Sequence, residues 1–243
     1  MSRRYAPEEP DYDPRWASII AAAGAPSPLD YRPPADLGLC VLHLDDAVLA
    51  LDKPALLLSV PGKGAGMEDC LEARAKAAFP EARTVHRLDR PTSGVVVMAR
   101  DAAAHRALGW RFERRQIEKT YVARVAGVVR GAEGEIDAPL CGDWPRRPLQ
   151  MVHFEHGKPA RTVWRRLAVE DGATRLELTP VTGRTHQLRV HLAWIGHPIL
   201  GDEFYAPEKI RRAAPRLQLH AAALRMTHPR GDAPLHLAAP CPF

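Results

Sequence analysis

The sequence predicts an α+β domain built on a central, mixed but mostly antiparallel sheet with flanking helices. Short apolar or alternating runs outnumber helical patterns, and turn residues join most of them over hairpin distances. Segments of helical period are few and short.

The elements follow in order. Residues 1–37 hold seven prolines and many charges, so they are expected to form a partly ordered N-terminal arm with one helix candidate at 16–23. The packed domain is expected over residues 38–243. Residues 41–44 and 48–52 flank Asp45-Asp46 as a hairpin, and 56–60 read as a third short strand. The loop Pro61-Gly62-Lys63-Gly64-Ala65-Gly66 lacks the strand-then-helix setting of a phosphate-binding fingerprint. A helix over 67–78 is closed by Pro80, and 94–99 read as a buried strand. Asp101 is a good N-cap for a helix running to about residue 115, with Ala104, Leu108 and Phe112 on one face. Residues 119–129 alternate as a strand, and further strands are expected at 150–155, 162–169, 175–181 and 217–226. Before the last of these lies a helix over 185–195 with Leu188, Leu192 and Ile195 as its stripe, ended by Gly196 and Pro198.

Composition narrows the function. With 243 residues, 46% apolar and 26% charged, the chain can bury a real core and is ordinary for a soluble globular protein. No segment approaches the roughly 18 consecutive apolar residues of a membrane span, and the charged, proline-bearing start lacks a secretory h-region. The four cysteines, Cys40, Cys70, Cys141 and Cys241, are far apart, which fits reduced thiols in a cytoplasmic protein rather than disulfides or a zinc knuckle.

Net charge is +5, with 28 arginines against 6 lysines. Arginine offers a planar fork for phosphate and can stack on bases. It clusters at Arg111, Arg114 and Arg115 with Lys119, at Arg146-Arg147, at Arg161, Arg165 and Arg166, and at Arg211, Arg212 and Arg216. On charge alone, a polyanion partner and a solvated basic face are equally consistent with these clusters.

Three constellations could carry chemistry. His86-Arg87-Leu88-Asp89-Arg90-Pro91-Thr92-Ser93-Gly94 sets one carboxylate between two arginines, just before an apolar run. Flanking positive charge favours its ionised form, and an ionised, positioned carboxylate can act as nucleophile or base. Glu118-Lys119-Thr120-Tyr121 opens the alternating strand; alone, Tyr121 is better explained as a half-buried strand aromatic. Gly183-Arg184-Thr185-His186-Gln187-Leu188-Arg189-Val190-His191 opens a helix, where the charge of Arg189 is mildly unfavourable and calls for a carboxylate or phosphate partner. His186 and His191 are five apart and do not share a face as zinc ligands do, so no metal is expected.

His86-Arg87-Leu88-Asp89 followed by Thr92-Ser93-Gly94 resembles the catalytic motif of the RluA-type pseudouridine synthases. Glu118-Lys119 with Tyr121, Ala123, Val125 and Gly127 resembles the second motif of that family, and Gly183 to His191 the third. Leu58-Ser59-Val60-Pro61-Gly62, Asp143-Trp144-Pro145 with Arg147-Pro148, Gly157-Lys158-Pro159-Ala160, Gly196 to Asp202 and Leu219-His220-Ala221 extend the likeness from about Cys40 to the end, closest to a short branch of the family. The arm before Gly38 is longer than usual there, and no room is left for an N-terminal S4 RNA-binding domain.

The resemblance implies the pseudouridine synthase fold with an active-site cleft, and isomerisation of uridine to pseudouridine without metal, nucleotide or redox cofactor. By resemblance Asp89 is the catalytic carboxylate, Arg189 pairs with it, and Tyr121 stacks on the uracil. Leu188 helps to form an apolar wall, and Arg87 is a wedge or phosphate clamp for the extruded base. His86, Arg184, His186, Arg114, Arg115 and Arg147 are the further candidate RNA contacts. The implied substrates are 23S ribosomal RNA and/or the tRNA anticodon stem-loop, met by a monomer with no membrane and no obligate protein partner. A catalytically silent RNA-binding module on the same fold is the alternative, disfavoured by the retention of Asp89, Tyr121 and Arg189 together. A carboxylate-dependent glycosidase or nucleosidase would call for a second acidic residue in a matching motif.

Overall fold

The computed structural model describes residues 3–5 and 30–243, so the helix expected at 16–23 lies outside them. By its internal contacts the chain divides into two compact units. Residues 30–120 and 220–243 form one, the Asp89 unit; residues 121–219 with Arg3–Tyr5 form the other, the Arg189 unit.

In chain order, β1 is Arg3–Tyr5. The Asp89 unit then supplies β2 (Val41–Leu44), β3 (Val48–Lys53), α1 (Leu71–Ala78), β4 (Arg83–Thr84), β5 (Ser93–Ala99) and α2 (Ala102–Glu113). β6 (Glu118–Ala126) carries the chain onward. The Arg189 unit continues with β7 (Glu133–Asp137), β8 (Leu140–Gly142), β9 (Gln150–Val152), β10 (Arg161–Glu170), β11 (Ala173–Pro180), α3 (Gln187–Trp194) and α4 (Glu208–Arg211). β12 (Leu219–Thr227) and β13 (Pro234–Ala238) complete the Asp89 unit.

Within the Arg189 unit the strands run in the order β1-β7-β10-β11-β6, antiparallel except for β1 against β7. Within the Asp89 unit they run β13-β12-β5-β3-β2, with β4 also on β5, antiparallel except for β12 against β5. Each unit is thus a mixed, mostly antiparallel sheet with few helices, as the α+β reading expects.

Burial explains these elements. Every residue of β5 is buried, so it reads as a continuous apolar run rather than an alternating one. Its Val95 and Val97 pack with Val48, Ala50, Leu108 of α2, Leu224 and Met226 as the core of the Asp89 unit. In the Arg189 unit Ala123 and Val125 of β6 meet Trp164, Leu176, Leu178, and Leu188 and Leu192 of α3. α2 starts where its cap predicts, with the Asp101 carboxylate accepting from the Ala104 amide at 2.8 Å.

The departures have local causes. Residues 56–60 are turn and bend, not strand: Leu56 takes a left-handed φ of 70°, and the Lys53 ammonium gathers the carbonyls of Pro54 and Leu57 into a tight bend. α1 begins only at Leu71, because Cys70 is extended and its Sγ accepts from the Ala73 amide as an N-cap. α3 begins at Gln187 rather than 185, since His186 is left-handed (φ 54°) and cannot join the helix. β6 stops at Ala126, before Gly127 turns the chain at φ 76°.

Candidate active site

The loop that carries Asp89 is pinned on nearly every side. His86 precedes it, and its Nε2 accepts the Val97 amide of β5 at 2.9 Å while its ring stacks on Phe112 at 4.4 Å. The Ser59 hydroxyl bridges Leu88, donating to its carbonyl at 2.7 Å and accepting its amide at 3.1 Å. Thr92 N–H closes a turn on the Asp89 carbonyl at 3.1 Å. Lys53 is wholly buried, yet its three N–H groups find three carbonyls, those of Pro54, Leu57 and Arg90. Ser93, just past the turn, meets His220 Nδ1 at 2.9 Å. Gly94 follows at φ +113°, and a Cβ there would stand 2.2 Å from the Ala221 carbonyl, so only glycine lets β5 meet β12 here. In this loop Asp89 is half-buried and Arg87 is exposed.

His86 has a structural task in this loop: its acceptor nitrogen holds a backbone amide, and burial, with Lys119 nearby, pushes its pKa down to about 3. It is a neutral strut beneath the Asp89 turn.

In the Arg189 unit the buried Arg189 guanidinium is gripped by Asp202. Nε donates to Oδ2 at 2.8 Å and Nη2 to Oδ1 at 2.7 Å. The same Oδ1 accepts the amides of Phe204 and Tyr205, at 2.9 and 3.1 Å, so one carboxylate shapes the turn and aims the arginine. The rings of Phe204 and Tyr205 lie 5.0 and 5.2 Å from the guanidinium carbon. Burial alone would push the Asp202 carboxyl up, but the Arg189 charge and these amides outweigh it and hold it below the usual carboxylate range. Asp202 is thus the carboxylate partner that a charge near the start of a helix calls for, at a separation of 13 residues that no spacing rule marks in the sequence. Gly201 before it, at φ +75°, would place a Cβ 2.0 Å from the Arg216 carbonyl.

A buried polar network seats α3. Gln187 Nε2 donates to the Arg161 carbonyl and the Thr162 hydroxyl, while its Oε1 accepts from the Thr182 hydroxyl and the Arg184 amide. Thr162 Oγ1 lies 2.9 Å from His191 Nδ1, and His191 Nε2 lies 2.9 Å from the Ala138 carbonyl. A carbonyl only accepts, so Nε2–H donates to it, and in the neutral imidazole Nδ1 then accepts from the Thr162 hydroxyl. Burial pushes its pKa down to about 4. His186 Nδ1 meets the Tyr205 hydroxyl at 2.7 Å, linking the helix start to the Asp202 turn. Leu188 is buried in the same core against which half-buried Tyr121 packs, which brings those two expected residues together. Among the described residues no group of His, Cys, Asp or Glu is arranged to hold a metal ion.

The arginine clusters divide. Arg161 pairs with Glu135, Arg165 with Glu177, and Arg211 and Arg212 with Glu208, so much of that charge is neutralised on the surface. Arg114, by contrast, is exposed and lies over the Trp110 ring at 4.3 Å, beside exposed Arg115. Arg147 lies over exposed Trp144 at 3.2 Å, and half-buried Arg184 donates to the Pro159 carbonyl.

Comparison with known proteins agrees with these motifs. The RNA pseudouridylate synthase family matches residues 47–194. Dual-specificity RNA pseudouridine synthase RluA of Vibrio parahaemolyticus is 46% identical over 220 residues, covering 88% of each chain. The enzyme of the same name from Escherichia coli strain K12 is 46% identical over 215 residues, covering 88% of this chain and 98% of that one. Among solved structures, human RNA pseudouridylate synthase domain containing 1 superposes with a TM-score of 0.72 at 27% identity, covering 87% of each chain. A pinned aspartate turn, a clamped arginine and family-wide similarity along most of the chain lead to one assignment: this protein belongs to the RNA pseudouridylate synthase family.

Proposed function

We propose that this protein isomerises specific uridines to pseudouridine in structured RNA loops, with 23S ribosomal RNA and tRNA anticodon stem-loops as substrates, and that Asp89 is the catalytic carboxylate. The observation that carries the assignment to Asp89 is the fixation of its turn by Ser59, Lys53 and Thr92 on neighbouring residues, which holds one acidic side chain in place. Dual specificity enters from the names of the relatives and from their 46% identity.

The chemistry is an isomerisation, so nothing is added. The C1′–N1 bond of uridine breaks, the uracil turns, C1′ bonds to C5, and the proton displaced from C5 leaves as N1 gains one. A single carboxylate suffices, because no water has to be delivered to the sugar. The uridine must first leave its stack, a cost that Arg87 meets by wedging or by clamping phosphate. Tyr121 stacks on the uracil, Leu188 lines it with apolar surface, and Arg189, gripped by Asp202, is the third residue of the catalytic set. Arg114, Arg115, Arg147, Arg184 and His186 contact the RNA around the target, by phosphate pairing and stacking. In this reading the catalytic domain is residues 38–243, acting as a monomer in the cytoplasm without a cofactor or an obligate protein partner.

The test is the mass shift of RNA after cyanoethylation, for wild type and Asp89→Ala. Product is expected from wild type alone, with RNA binding retained by the variant. Equal product from both removes Asp89 from the mechanism.

A further inference from the structure

The segment before the first hairpin bonds to the backbone that in turn supports the Asp89 turn. The Tyr31 hydroxyl donates to the Asp69 carbonyl at 2.7 Å and accepts the Leu58 amide at 3.1 Å. Five residues past Asp69, Arg74 fixes the same side of the unit: its Nε and Nη2 grip Asp69, and Nη2 also donates to the Pro34 carbonyl at 2.7 Å. The first two amides of α1 close the frame, since Leu71 N–H donates to the Leu58 carbonyl and Glu72 N–H to that of Ser59. The backbone of Leu58–Ser59 is therefore held at its amide by Tyr31 and at its carbonyls by α1. From this frame the buried Ser59 hydroxyl takes both the amide and the carbonyl of Leu88, the residue before Asp89.

We propose that Tyr31 is a positioning residue for the pseudouridylation reaction, acting through Leu58, Ser59 and Leu88 to set the place of Asp89. The inference rests on the assignment of Asp89 as catalytic carboxylate. Tyr31 touches no reacting atom in this role. Its hydroxyl is suited to it, because a phenol both donates and accepts, and so ties two backbone strands that have no ladder of their own. A displacement of the carboxylate by a fraction of an ångström affects the rate far more than the affinity for RNA, since phosphate contacts elsewhere carry the binding.

The experiment uses the full chain and an RNA hairpin carrying the target uridine. Single-turnover rate and RNA affinity are measured for wild type, Tyr31→Phe, Ser59→Ala, the double variant and Asp89→Asn, all well below their melting temperatures. Tyr31→Phe keeps the ring and removes only the hydroxyl. Its rate is expected to fall roughly tenfold with affinity unchanged. In the Ser59→Ala background the same substitution is expected to cost little more, because the relay is already cut. A Tyr31→Phe rate equal to wild type beside an inactive Asp89→Asn overturns the relay alone. An undiminished additional loss in the double variant overturns the route through Ser59. An active Asp89→Asn overturns the assignment of the carboxylate itself.

Discussion

Arg189 and Asp202 form a two-pronged ion pair in which neither side chain is exposed, at 1% and 0% of its surface. Taking two charges out of water is costly, and the pair holds because each Asp202 oxygen receives an arginine N–H and one also caps the turn. Removing one charge leaves the other buried and uncompensated. Asp202→Asn is therefore expected to cost about 3 kcal/mol of stability, read as the urea midpoint at pH 7. A loss below about 1 kcal/mol would show that the pair is not desolvated as its burial implies.

Lys53 makes a second prediction. Its ammonium links the Arg90 carbonyl, one residue past Asp89, to the bend after β3. Lys53→Met fills the volume but strands those carbonyls, at about 1–3 kcal/mol for each one left unsatisfied. The Thr92 amide, bonded to the Asp89 carbonyl, should exchange its hydrogen faster in this variant while amides in the middle of β10 do not. Uniform acceleration across both would mean global destabilisation rather than a loosened turn.

The sequence made the regular elements legible and left the devices that aim the site hidden. The Asp101 cap, the apolar run of β5 and the alternation of β6 are local patterns, and each element appears where its pattern lies. β7 was missed because Glu133–Asp137 has one apolar residue; it is a strand because β10 pairs with it in register. Asp202 grips an arginine 13 positions away, and Ser59 grips a residue 29 away, distances at which no spacing rule operates. Lys53 did carry a signal: a lone lysine ending an apolar strand before proline is a charge that burial must satisfy. The run at 56–60 misled for the same reason, since its backbone serves that lysine instead of a ladder.

Acid should destabilise the fold in a defined window. His191 is neutral when folded, with a pKa of about 4 against 6.5 for a free imidazole. Between those values the unfolded chain binds a proton that the folded one does not, so stability falls as pH drops from 6.5 toward 4. For a shift of this size the loss is about 3 kcal/mol at most. His86, also pushed down, adds in the same direction. Asp202 acts further down: its depressed carboxyl stabilises the fold above the ordinary aspartate range, and that stability is lost as pH falls through the folded value. In His191→Gln the urea midpoint should vary less steeply between pH 6.5 and 4 than in wild type. An unchanged slope would mean that His191 is charged in the folded protein.

RNA binding should separate the exposed arginines from the paired ones. An arginine that meets a phosphate releases a counterion, so log K falls with log salt by about 0.7 to 0.9 per contact. Arg114 is exposed and rests on Trp110, pre-placed to reach an RNA backbone with little rotamer entropy left to lose. Arg114→Ala should reduce the magnitude of the salt slope by about one contact's worth. Arg165 is just as exposed in sequence terms, but its guanidinium already meets Glu177 at 2.9 Å, so Arg165→Ala removes a charge that was balanced. Its slope should match wild type. The comparison is made by filter binding of one RNA hairpin across a salt series, with thermal midpoints confirming that both variants stay folded. If Arg165→Ala flattens the slope as much as Arg114→Ala, binding reads net charge alone and the division of the arginine clusters by their carboxylate partners is wrong.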